Sequence, residues 1–303
     1  MEPLECLKDY FGRFHPFSFN EFSEIYNLLY SDYENLQNRI EFSLLIDKDN
    51  EIDLRFGLFK LYDTQRISSL FRKKWYEIPD LERILNLAKG FTPEFALGFD
   101  FKGNHPRIKV YLLRLPDNPQ FIENPVKRIR SLSTAIGVDL ANLDEKEIEG
   151  CYLLGLDFHK GKTQNLKIYT KEMNVAFSRI NDCLRKNGVA SQHLGYFRKM
   201  FSEGESRDVT FSRKYPVDSS AASGFSIFFD ANGNSKGRVS NSEVSQLVRT
   251  CVPERYGNFD ETLKALEAAG EIVYSHIGLT FNGCEAKESI CLYFSPRFWE
   301  ARK

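Results

Sequence analysis

Two short sequences, Lys109-Val110-Tyr111 and Lys167-Ile168-Tyr169, each place a cation two residues before a phenol ring, 58 positions apart (167 − 109). In an extended strand, residues i and i+2 share a face. Cys291-Leu292-Tyr293 repeats the spacing with a thiol in place of the amine, and Arg55 occupies the matching place in Asp53-Leu54-Arg55-Phe56-Gly57. Arg55, Lys109 and Lys167 at one level of a shared face can bind a diphosphate. Tyr111, Tyr169 and Tyr293 at the next level can face a positive organic fragment, since aromatic faces attract cations by ~0.5–2 kcal/mol each. Such a face holds a leaving diphosphate while its rings shield an allylic carbocation from water. A single Lys-x-Tyr is the ordinary solvent face of an antiparallel sheet. Recurrence in register, each copy following an aligned Gly-x-Asp strand, favours the chemical reading.

The preceding strands carry Glu41-Phe42-Ser43, Gly98-Phe99-Asp100, Gly155-Leu156-Asp157 and His276-Ile277-Gly278-Leu279-Thr280. Glu41 reads as either a catalytic carboxylate or an ion-pair partner of Arg55 or Lys167. In a partly apolar lumen its pKa would rise and it could accept a proton. Asp100 and Asp157 can place Mg²⁺ through water, which Mg²⁺ favours, or neutralise Lys109 and Lys167. His276 reads as a satisfied interior histidine in preference to a base.

These residues need a repeated scaffold. The phrase Leu97-Gly98-Phe99-Asp100-Phe101 returns as Leu154-Gly155-Leu156-Asp157-Phe158 and as Ile277-Gly278-Leu279-Thr280-Phe281. The first two glycines lie 57 positions apart (155 − 98) and the third about two periods on, the sign of one supersecondary unit reused. Alternation predicts hairpins at 40–45/52–58, 95–101/107–113, 150–158/165–170, 208–213/224–230 and 273–281/289–294. The turns are expected at Asp47–Asn50, Gly103–Pro106 and Lys160–Lys162, with a Ser/Ala-rich connection in the fourth hairpin. Helical spacing is expected at about 19–33, 65–74, 80–89, 124–135, 171–187, 242–251 and 258–269. Helix, strand, strand, helix, five times over, predicts an α+β protein: a ten-stranded antiparallel β-barrel ringed by helices, as a single domain over 1–303. One face of each strand is apolar and would meet the helices; the other would line the lumen.

Composition narrows the function. The chain has 303 residues, 26 Phe and 14 Tyr, and a formal net charge of −1, which argues against a broad basic nucleic-acid surface. The six Cys show no CxxC pair and no zinc spacing, so reduced thiols in a cytoplasmic protein are expected. There is no signal-peptide pattern and no apolar run of membrane-spanning length. Ala231-Asn232-Gly233-Asn234 reads as a turn, no GxGxxG or P-loop occurs, and Lys127-Arg128-Ile129-Arg130 reads as a solvated helix face.

The order and spacing of these strands resemble the ABBA aromatic prenyltransferases (PT barrels, five αββα repeats), and within them the peptide prenyltransferases of cyanobactin biosynthesis. The segments carrying the likeness are Ile40-Glu41-Phe42-Ser43, Arg55-Phe56-Gly57-Leu58-Phe59, Gly155-Leu156-Asp157-Phe158 with Ile168-Tyr169, and Ile290-Cys291-Leu292-Tyr293-Phe294. The early Asp9-Tyr10-Phe11 … Pro16 … Phe19 … Phe22 stretch adds to it. The resemblance implies Mg²⁺-assisted transfer of a dimethylallyl or geranyl group from its diphosphate to a side chain of a macrocyclic peptide by a monomer. It implies diphosphate binding by Arg55, Lys109 and Lys167, shielding by Tyr111, Tyr169 and Tyr293, and acid–base work by Glu41. Like that family, the chain lacks DDxxD motifs. It departs from it at Cys291, where relatives tend to carry a basic residue; Arg213 or Lys214 is the candidate substitute. The fourth hairpin influences prenyl chain length in that family, so the C5-versus-C10 choice stays open. The alternatives are an ABBA enzyme acting on small phenols or indoles, and a non-catalytic barrel binding an anionic or aromatic ligand.

Overall fold

The structure, a computed structural model, describes residues 40–47, 52–61, 81–89, 95–100, 107–113, 125–140, 145–160, 162–187, 207–219, 221–231, 239–269, 272–282 and 287–296. It also describes helical positions at 65, 67–69, 72 and 195. The helix expected at 19–33, the early stretch beginning at Asp9 and the turns at 48–50 and 103–106 lie outside these residues.

Ten strands run in chain order: β1 (Ile40–Asp47), β2 (Asp53–Leu61), β3 (Phe95–Asp100), β4 (Arg107–Leu113), β5 (Cys151–His159), β6 (Lys162–Val175), β7 (Arg207–Pro216), β8 (Gly224–Asp230), β9 (Ile272–Asn282) and β10 (Lys287–Pro296). Each pairs antiparallel with its neighbours, and β1 pairs with β10, closing the barrel. All five expected hairpins are present. Closure leaves no open sheet edge.

The helices among the described residues are α1 (Leu81–Lys89), α2 (Pro125–Ala135), α3 (Glu145–Glu149), α4 (Phe177–Lys186), α5 (Asn241–Cys251) and α6 (Tyr256–Ala269). Ser240 starts α5 by a capping box: its hydroxyl accepts from the Glu243 N–H, and the Glu243 side chain accepts from the Ser240 N–H, satisfying two donors that a helix start leaves over. The expected helix at 171–187 is corrected. Residues 171–175 prolong β6, where Lys171 and Glu172 pair with Thr210 and Val209, and Val175 with Arg207. The cross-strand ladder overrides the local helical pattern, and α4 begins only at Phe177.

The barrel wall has two faces. The outward side chains, among them Leu97, Phe99, Val110, Leu112, Leu154, Leu156, Leu166 and Ile168, are buried in one cluster. Ile129 and Leu132 of α2, Ile180 and Leu184 of α4, Val244 and Leu247 of α5, and Phe259 and Leu263 of α6 belong to the same cluster. Burial of each large side chain is worth about 1.5–3 kcal/mol, so this annular core holds the wall rigid around the lumen. Of the basic run on α2, only Lys127 is exposed; Ile129 is buried and Arg130 pairs with Glu145 at 3.5 Å.

The register shifts at five places among the described strands, and two of these shifts bear on the lumen. Cys151 pairs with Thr170 and Leu153 with Tyr169, leaving Tyr152 as the extra residue. Tyr293 pairs with His276 and Phe294 with Tyr274, leaving Ser275. A bulge lets consecutive side chains depart from strict two-sidedness.

Candidate active site

All seven residues singled out from the sequence, Glu41, Arg55, Lys109, Tyr111, Lys167, Tyr169 and Tyr293, line the lumen. The space divides into two connected chambers. One, about 690 Å³, lies toward the hairpin turns and is bounded by Arg55, Arg107, Lys109, Asp157, Lys167 and Lys214 among others. The second, about 460 Å³, lies at the opposite end; Glu41, Leu113, Tyr152, Leu153, Thr210 and His276 help to line it. Arg55, Asp100, Lys109 and four aromatic rings border both.

The rings form an arc. Tyr111 and Tyr169 have centroids 6.3 Å apart, Tyr169 and Phe228 6.4 Å, and Phe228 and Tyr293 5.7 Å. They stand on alternate strands β4, β6, β8 and β10. The repeated glycines explain how they fit. A Cβ on Gly98 would sit 3.1 Å from Tyr111, and one on Gly155 would sit 3.2 Å from Tyr169 and 3.3 Å from Tyr111. On Gly278 it would sit 2.3 Å from Phe228. Each glycine is the floor on which a ring from a neighbouring strand lies, so the repeated phrase encodes the seat of the aromatic arc.

The carboxylates of the charged chamber are engaged. Asp100 pairs with Arg55 at 3.1 Å and Asp157 with Lys167 at 3.1 Å. The sequence reading that Asp100 neutralises Lys109 is corrected: the β2–β3 register sets Asp100 directly opposite Arg55. Burial pulls the Lys167 ammonium down, but Asp157 outweighs it and holds it above the ordinary lysine value. Burial likewise pushes Asp157 up, while Lys167 and Lys109 overcome it and hold it low. Lys109 has no carboxylate within ion-pair distance among the described residues. Burial, reinforced by Lys167 and Arg55, brings its pKa down to about 7. A cation kept so near neutrality by its neighbours is one that a bound polyanion would stabilise.

Lys214 completes the ring of charge. It lies on β7 opposite Lys167 and faces the chamber, and burial with the Lys167 charge lowers its pKa. Arg213 points outward and pairs with Glu147. Of the two substitutes considered for the missing basic residue at 291, only Lys214 is in place. Cys291 is buried beside Tyr169 and Phe228, and burial raises its thiol pKa. The sequence reading missed Arg107, which alternation from Lys109 would have found, and Phe228, which Ser226 two residues earlier marks as inward.

In the second chamber, Glu41 pairs with neither Arg55 nor Lys167. Its Oε1 accepts a hydrogen bond from Ser275. Burial pushes its pKa up to about 7, with that hydrogen bond acting against the rise. Across the lumen Tyr152 and Thr210 share a hydrogen bond of 3.2 Å. His276 lies beside Tyr293, and burial lowers its pKa.

The donor set does not fit a metal held by the protein alone. Among the described residues no group of three His, Cys, Asp or Glu side chains is arranged to hold an ion. Asp100 and Asp157 hold Arg55 and Lys167 through Oδ2, and Asp157 Oδ1 is buried with no hydrogen-bond partner among the described residues, the kind of single carboxylate oxygen with which a Mg²⁺ brought in by a diphosphate would fit. Of the described cysteines, Cys151 and Cys291 are buried. No described helix is long and apolar enough to cross a membrane.

No family model matches the chain, and no curated protein matches it. Solved structures do. The 5-dimethylallyltryptophan synthase from Streptomyces coelicolor aligns over 99% of this chain and 97% of its own, with a TM-score of 0.72 and 13% identity. Prenyltransferase PriB, in ternary complex with L-tryptophan and dimethylallyl thiolodiphosphate, aligns over 98% and 96%, with a TM-score of 0.72 and 13% identity. NotF, in complex with brevianamide F and DMSPP, aligns over 96% and 92%, with a TM-score of 0.66 and 14% identity. The barrel is therefore of the ABBA type; at such identities the likeness speaks for the fold.

Proposed function

We propose that this protein is a prenyltransferase, a single barrel domain that moves a dimethylallyl group from its diphosphate to an electron-rich aromatic ring. One observation carries the reading: a chamber of cations opens through an arc of aromatic rings into an apolar chamber holding a carboxylate of raised pKa. A non-catalytic anion-binding barrel has no use for the last two parts.

The diphosphate rests against Lys109, Lys214 and Arg107, with Arg55 and Lys167 held in place by Asp100 and Asp157. The C1–O bond of the donor breaks, its electron pair leaving with the diphosphate. Tyr111, Tyr169, Phe228 and Tyr293 face the allylic cation and keep water from it. A carbon of the acceptor ring bonds to C1, and Glu41 takes the proton that this carbon loses. The products are the prenylated acceptor and diphosphate. The chain's own cations carry the charge of the leaving group, and a Mg²⁺ arriving with the diphosphate would be held through the open oxygen of Asp157 and would share that charge.

Phe228 supports the C5 donor. It lies flat on Gly278 and occupies the lumen where a longer chain would extend. For the acceptor we favour an indole. The chamber is mostly apolar and of a size for one bicyclic ring, and three ABBA structures similar to this one are a dimethylallyltryptophan synthase and complexes with tryptophan and brevianamide F. The cyanobactin-like sequence segments support a second reading in which a peptide carries the ring.

The test is turnover of dimethylallyl diphosphate with tryptophan, a Trp-containing cyclic peptide, tyrosine and a simple phenol, with Mg²⁺ and with EDTA, followed by mass spectrometry. A product heavier by one C5H8 unit is expected with an indole acceptor. Failure with every acceptor, together with no binding of dimethylallyl thiolodiphosphate, overturns the proposal. Activity that EDTA abolishes would give Mg²⁺ a necessary share of the leaving group's charge; activity unchanged in EDTA would show that the chain's own cations suffice.

A further inference from the structure

Glu41 is held by a residue that the strand pattern would send to the other side of the wall. On β9, His276 and Thr280 line the lumen and Gly278 faces the ring of Phe228, and strict alternation would turn Tyr274 inward and Ser275 outward. The bulge opposite Tyr293 and Phe294 reverses this. Tyr274 turns into the outer core, where it packs on Phe294 with centroids 6.2 Å apart. Ser275 turns toward β1 and donates its hydroxyl hydrogen to Glu41 Oε1. The Ser275 carbonyl is fixed as well, accepting from the Ala231 N–H at 2.9 Å. The bulge is thus held on both sides, by packing of Tyr274 and by a backbone hydrogen bond.

We propose that Ser275 is a positioning residue for Glu41: it fixes one carboxylate oxygen so that the other, Oε2, stays open to the second chamber to receive the acceptor's proton. The assignment rests on the proton-accepting role given to Glu41 above. The proton balance is simple. The acceptor carbon loses H⁺ to Oε2, and Ser275 continues to donate to Oε1 in both protonation states. A hydrogen bond to the charged form favours that form, so the serine keeps part of the Glu41 population ionised against the pull of burial. Among the groups facing Glu41, Tyr152 across the lumen has its pKa raised to about 12, chiefly by burial, so it stays protonated and uncharged throughout the working range. His276, two strands from β1, is biased toward the neutral form by burial.

Two measurements on Ser275→Ala and Ser275→Thr test the assignment. The first needs no substrate: titration of Glu41 by carboxyl-selective NMR, identified with Glu41→Gln. Ser275→Ala should move the Glu41 midpoint upward from about 7 and Ser275→Thr should leave it in place. An unmoved midpoint in a folded Ser275→Ala protein overturns the proposal, whatever the enzyme's substrate. The second is the pH dependence of kcat. Ser275→Ala should shift the rising acid limb to higher pH and recover most of its loss there, with KM for the donor unchanged. A uniform loss at all pH values would mean a merely structural serine and would also overturn it. If no acceptor is ever turned over but the midpoint moves as stated, the serine's hold on Glu41 stands and the prenyl-transfer reading falls.

Discussion

The two ends of the lumen are built by different rules. Toward the hairpin turns, charged and polar residues follow one another at regular two-residue intervals: Arg107 and Lys109, Asn165 and Lys167, Ser212 and Lys214. Their partners are set by register, Asp100 across from Arg55 and Lys167 across from Lys214. At the other end the chamber is mostly apolar, and its polar contacts come from bulges, with Ser275 on Glu41 and Tyr152 on Thr210. The first end is a surface that repeats; the second is a set of local exceptions. The aromatic arc divides them, so strong positive charge and an apolar space coexist within one barrel. Charge can be supplied by any regular strand face, whereas orienting one carboxylate in an apolar space takes an individually placed neighbour.

This contrast can be broken residue by residue. Glu41→Gln should have the largest effect, lowering turnover by ~10²–10⁴-fold while leaving binding of dimethylallyl thiolodiphosphate intact, since loss of a general base costs that much. Rapid-quench rates beside calorimetric binding check it; a loss of donor binding would place Glu41 in the wrong chamber.

Lys109→Ala should act at the opposite end, weakening diphosphate binding and lowering turnover by ~10²-fold, as removal of one electrostatic contact does. The substitution should also stabilise the apoprotein. The folded-state pKa of Lys109 is depressed to about 7, so its contribution to stability is present at high pH and is lost as pH falls toward that value. At pH 6 Lys109→Met should therefore melt higher than the native chain, by about 1–2 kcal/mol. Lower melting would mean that the lysine holds the empty barrel together.

Glu41 and Lys109 together predict a bell-shaped dependence of kcat/KM on pH. The acid limb rises as Glu41 ionises through about 7, and the alkaline limb falls as Lys109 loses its proton in the free enzyme. Lys109→Arg, which keeps its charge, should remove the alkaline limb and leave the acid one. Persistence of both limbs would assign the fall to another group.

Smaller effects are expected at the arc itself. Phe228→Gly should raise the preference for geranyl over dimethylallyl diphosphate by ~10–100-fold, the range that a change of hydrophobic pocket size allows; competition between the two donors reads it. Gly155→Ala forces a methyl against Tyr169 and Tyr111 at 3.2 and 3.3 Å and should cost about 1–2 kcal/mol of stability, seen in denaturant melts. An unchanged midpoint would mean that the rings shift freely and do not rest on their glycines.

The same contrast explains what could be read from the chain before its shape was known. Arg55, Lys109, Lys167 and the three tyrosines obey alternation, so register alone gathered them. Lys214 obeys it too, on the face of Thr210 and Ser212, but its strand reaches three residues beyond the Arg213 boundary that local pattern suggested. Phe228 was hidden because Phe225, Ile227, Phe228 and Phe229 crowd both faces with apolar residues, and only Ser226 betrays which side is wet. Ser275 and Tyr152 could not be found by alternation at all: a bulge is a break in that pattern, fixed by contacts distant in sequence. Strand residues 171–175 were misread as helix for the same reason, since their ladder partners lie beyond Arg207.

The pairing of Phe42 with Phe294 has a kinetic consequence. A contact between residues so far apart in the chain carries a high loop-closure cost, and such non-local topologies fold slowly. All five hairpins can form from neighbouring segments, but Glu41 meets Ser275 only when β1 and β10 join. During refolding, strand content should therefore return well before enzymatic activity, and the interval between the two is the time the barrel takes to find its last seam.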